Sequence, residues 1–96
     1  MATLLFKPTT EMTFATADAD HKRLLRLCNG SKAKVLSLDL SAVTQCDSAG
    51  LALLIEAKRL ARQFKKQFQI LGITADIQAL AEFCGVETML MPAKAS

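Results

Sequence analysis

The sequence predicts a single α/β domain over residues 1–96, a small mixed β-sheet packed against helices. Three observations carry this. Leu36, Leu38 and Leu40 alternate with Ser37 and Asp39, the period-two pattern of a strand. A long run after Asp47-Ser48 repeats apolar side chains every three to four residues, the pattern of a helix. Strand-like and helix-like segments alternate along most of the chain, which argues for a sheet with helices laid against it.

In chain order, residues 4–7 and 12–15 read as two short strands around Pro8, Thr9 and Thr10. Residues 18–28 read as a helix capped by Asp18 and ended by Asn29-Gly30. Leu24, Leu25 and Cys28 share its inner face, and Asp20, His21, Lys22, Arg23 and Arg26 form its wet side. A strand over 35–40 leads through a loop, 41–46, to the longest helix, 51–66. Another strand spans 67–71 and closes at Gly72. Thr74 can cap a last helix over 75–84, with Ile77, Leu80, Ala81 and Cys84 on one face and Gly85 just past its end. Val86, Met89, Leu90 and Met91 follow, before Pro92. The unit 35–71 is a strand–helix–strand crossover, so its strands should be parallel and its hand right-handed.

Composition narrows the function. A chain of 96 residues holds one core and little else. Net charge is only +3, and Trp and Tyr are absent, a poor match to the basic, aromatic surfaces that bind nucleic acid. The apolar run 51–55 is far short of the roughly 20 residues that span a bilayer. Residues 1–7 lack the features of a signal peptide, so a cytoplasmic location is expected, with no direct membrane insertion. Cys28, Cys46 and Cys84 are widely spaced and form no zinc-type pair, so no metal is expected. His21 is the one histidine and falls on a wet face; Cys46 has no base in sequence view; no Gly-rich phosphate loop is present. The expectation is a protein that is not an enzyme and takes no cofactor.

The helix after Asp47-Ser48 is where function shows. Each residue turns about 100° around the axis. Leu53, Leu54, Ala57, Leu60, Ala61 and Phe64 then face the sheet. Ser48, Leu51, Ala52, Ile55, Arg59, Arg62 and Lys66 are read as the opposite face. Its near end carries no charge, and an apolar outward face is usually covered. The cover is a second protein or this chain's own tail around Met89. The expected partner interface is Ser48, Leu51, Ala52 and Ile55, with Arg59 at its edge. Asp47 or Ser48 can cap the helix; a serine there can also take a phosphate or donate a hydrogen bond. The basic stripe of Arg59, Arg62, Lys65 and Lys66 reads as a solvated face, with anionic lipid as the alternative contact.

The runs Leu38-Asp39-Leu40-Ser41 and Asp47-Ser48-Ala49-Gly50-Leu51-Ala52-Leu53-Leu54 resemble the signature of STAS domains (sulphate transporter and anti-sigma factor antagonist). The resemblance implies the STAS fold over nearly the whole chain. In the anti-sigma antagonist branch a kinase phosphorylates the serine beside the glycine. That position here is Ala49, leaving Ser48 as the neighbouring hydroxyl for such a phosphorylation. The run Gly50-Leu51-Ala52-Leu53-Leu54 is more similar to the MlaB-type branch, the STAS subunits of a phospholipid ABC transporter in Gram-negative bacteria. That branch implies a domain bound to the transporter's ATPase subunit (MlaF-like), in a complex with the permease at the inner membrane. It implies Ser48 at the centre of that interface, and a role in outer-membrane lipid asymmetry.

Overall fold

The computed structural model describes residues 3–86. Its elements are β1 (Thr3–Phe6), β2 (Glu11–Met12), α1 (Ala17–Cys28), β3 (Val35–Asp39), β4 (Gln45–Cys46), α2 (Ser48–Gln63), β5 (Gln67–Leu71) and α3 (Ala75–Phe83). The main sheet runs β1-β3-β5, and β2 pairs with β4 in a second, two-stranded ladder. Leu36 lies between Leu4 and Phe68, and Leu38 between Phe6 and Ile70. The expectation of a mixed sheet narrows, because every pairing among the described residues is parallel. Each step from strand to neighbouring strand passes through a helix, and such a crossover returns the chain in the same direction.

Helices α1 and α2 pack on each other, α1 against β1 and α2 against β5. Leu24 and Cys28 from α1, Leu36 and Leu38 from β3, Leu54, Ala57 and Leu60 from α2, and Ile77 and Ala81 from α3 share one core. Burying such aliphatic side chains contributes about 1.5–3 kcal/mol each, the main force holding the layers together. Ser37 points to the other side of β3 but is still 1% exposed, flanked in register by Leu5 and Gln69.

Several local features differ from the sequence pattern. Strand β2 stops at Met12, short of the expected span 12–15, because residues 13–16 close on themselves: the amides of Thr16 and Ala17 donate to the Thr13 carbonyl. The N-cap of α1 is Thr16, not Asp18, which sits in the first turn and pairs with Lys22. Asp20, expected on the wet side, is 3% exposed and bonded to Arg23, whose guanidinium lies 4.9 Å from the Phe6 ring centre. Leu25 is exposed, unlike Leu24 and Cys28, and Cys84 is exposed, unlike Ile77 and Ala81. Each sits at the rim of its helix's apolar stripe, where burial depends on what lies alongside. Met89, Leu90 and Met91 lie outside the described residues.

Candidate partner-docking site

The site forms where the loop after β4 turns into α2. Asp47 is extended and its carboxylate caps the helix, Oδ1 accepting from the amides of Ala49 at 2.9 Å and Gly50 at 3.1 Å. This settles the choice between Asp47 and Ser48 as cap. The other oxygen, Oδ2, accepts from the Phe14 amide at 3.1 Å, across the gap to the loop before α1. One carboxylate thus joins two loops far apart in sequence. These amide donors, Phe14 foremost, hold the Asp47 carboxyl below its ordinary range.

Gly50 explains why the turn needs glycine. A Cβ there would stand 2.1 Å from the Met12 carbonyl oxygen and 2.9 Å from the Cys46 sulfur. The first turn of α2 therefore lies directly on β2 and β4. The Cys46 thiol is pushed up to about 11 by burial first and by the Asp47 charge second. A nucleophilic cysteine needs the opposite shift.

Ser48 is exposed in the first turn of α2, beside helix N–H groups that carry partial positive charge. Ala52 is exposed one turn on, and Ile55 is half-buried against the core. Arg59 is exposed and bonded to Glu56 at 2.6 and 2.7 Å and to Gln63 at 3.2 Å. Glu56 also meets His21 of α1 at 3.0 Å, so the helix pair is laced together at this point. The Glu56 carboxyl falls to about 2, chiefly through its bonds from Arg59.

Two residues of the expected outer face are corrected. Leu51 is 3% exposed and belongs to the core. It precedes Leu54 by three residues, only about 60° around the helix, so it shares the inner stripe. Lys66 is 7% exposed, and its ammonium donates to the Ala33 and Ser31 carbonyls at 2.6 and 3.1 Å. Helical rotation does not extend to it. The helix ends at Gln63, and Lys65 adopts a left-handed φ of 58° that turns the chain inward. The basic stripe is therefore broken: Lys66 is buried and Arg59 is paired, leaving Arg62 and Lys65 exposed.

A family model described as "Mlab, STAS domain" matches residues 8–92. The chain belongs to the STAS family. No curated protein matches the chain. Among solved structures it is similar to the crystal structure of a sulfate transporter family protein from Wolinella succinogenes. The TM-score is 0.74 at 18% identity, covering 93% of this chain and 71% of the other. That likeness establishes the fold. Within this STAS domain, Asp39-Leu40-Ser41 closes the end of β3: the Asp39 carboxylate accepts from the Ser41 amide at 3.0 Å and hydroxyl at 2.7 Å. Among the described residues no helix is long and apolar enough to cross a membrane.

The candidate site thus brings together Asp47, Ser48, Ala52, Ile55 and Arg59, removes Leu51 from the surface, and adds a residue that the sequence pattern places in a strand. Phe14 is 84% exposed beside the cap. An isolated Phe next to Thr and Ala gives no signal of this; its position depends on the long-range bond to Asp47.

Proposed function

We propose that this STAS domain is a non-catalytic subunit that binds and supports the ATPase of an inner-membrane, Mla-type phospholipid ABC transporter. The domain lies at the membrane through that partner, and docks with the front of α2. The observation that carries the reading is the exposed start of α2, where Asp47 satisfies the first amides and leaves Ser48 and Ala52 facing solvent. A helix end capped from within needs no outside ligand, so its exposed side chains are available for a partner. The match to the Mlab family model supports the choice of partner class. Ala49 at the position beside Gly50 supports it over a serine-kinase switch, because alanine has no hydroxyl to phosphorylate.

The test is a tagged pull-down from the native host with mass spectrometry. Recovery of an ABC ATPase with its permease is expected, and Ser48→Arg should prevent it by bulk and charge at the helix start. Recovery of a protein kinase and an anti-sigma partner instead would overturn the proposal.

A further inference from the structure

The loop before α1 presents a large apolar side chain on a rigid mount. Phe14 is 84% exposed, yet its backbone is tied down on both sides. Its amide donates to Asp47 Oδ2 at 3.1 Å. The neighbouring Thr13 amide donates to Thr16 Oγ1 at 3.0 Å, and the Ala15 amide to Thr13 Oγ1 at 3.2 Å. Thr13 Oγ1 also donates to the Glu11 carboxylate. The Asp47 amide donates back to the Met12 carbonyl at 3.2 Å, so the loop and the start of α2 hold each other.

A phenyl ring left in water is unfavourable for the free domain, and a loop with this many bonds loses little further freedom on binding. Aromatic side chains are enriched in the buried cores of protein interfaces, where a few anchors carry most of the binding. The same carboxylate that frees Ser48 from capping duty also holds the Phe14 backbone. We infer that Phe14 is the apolar anchor of the docking surface, inserting into a pocket on the partner protein next to the group that meets Ser48. The inference rests on the docking reading above. The partner it fits has a phenyl-sized apolar recess flanked by a hydrogen-bond acceptor for the Ser48 hydroxyl. Asp47 acts as a positioning residue for both.

The test uses the full chain co-expressed with the host's Mla-type ABC ATPase, with affinity measured for wild type, Phe14→Ala, Phe14→Leu and Ser48→Arg. Phe14→Ala should weaken binding at least tenfold with an unchanged thermal midpoint, because the side chain contributes little to the core. Phe14→Leu should recover part of the loss. If Ser48→Arg blocks binding while Phe14→Ala binds like wild type, the anchor is refuted and the docking surface stands. If both variants bind like wild type, or the wild type does not bind, the docking reading falls and the anchor with it.

Discussion

The two ends of α2 solve the same problem in opposite ways. At the front, one carboxylate gathers the amides of Phe14, Ala49 and Gly50 and leaves the side chains around it in solvent. At the back, one ammonium gathers the carbonyls of Ser31 and Ala33 and is itself buried. Both clamps join the helix to distant chain. Only the front one has exposed side chains around it: Phe14, whose amide it holds, and Ser48 and Ala52 close by in α2. The difference separates a clamp that stabilises the fold from one that also shapes a surface. The proposed docking role belongs to the front.

Substitutions can break this contrast, and the largest effect is expected at Leu51. Leu51→Asp places a charge in the core and should cost about 4 kcal/mol or more, leaving little folded protein. Ala52→Asp, one residue on and exposed, should stay within about 0.5 kcal/mol of wild type in urea denaturation. Equal effects from the two would show that α2 is rotated away from the orientation that buries Leu51. Gly50→Ala is expected next, near 3 kcal/mol, since the new methyl meets the Met12 backbone and a main chain must move. Lys66→Met should cost about 2 kcal/mol by leaving the two carbonyls without their donor, and a neutral result would make the back clamp dispensable.

Asp47→Ala should cost less stability than Lys66→Met but more than Ala52→Asp, and its signature is in pH. The folded carboxyl sits below its ordinary value of 3.8. Its contribution is therefore complete above that value and is lost as pH falls further, when the folded state must also take up the proton. Wild type should lose stability on acidification below about pH 4 more steeply than Asp47→Ala, read from thermal midpoints across that range. Parallel curves would show that the carboxylate does not tie the two loops.

Much of the architecture is legible in local pattern. The alternation around Leu36 and Leu38, the Asp47 and Thr74 caps and the Gly85 ending need only neighbours within a few residues to act. The left-handed φ of 74° at Gly85 is the backbone reason for that ending. What is not legible depends on partners distant in sequence. Phe14 is held by a residue 33 positions away, and Lys66 reaches carbonyls at similar distance. Nothing near Lys65 signals that a lysine takes the left-handed turn usually given to glycine. Leu51 is a different case. Its place is available from its spacing to Leu54, and the short uncharged stretch around it suggests an outward face that its own core absorbs.

The proposed docking places a transporter ATPase against the front of α2 and not against its back. Site-specific photocrosslinking in the native host tests it most directly, with the reactive group placed at Ser48 in one variant and at Arg62 in another, both exposed. A crosslink from position 48 to an ABC ATPase subunit is expected, and none from position 62. A crosslink to that subunit from position 62 alone, or none from either position, would contradict it.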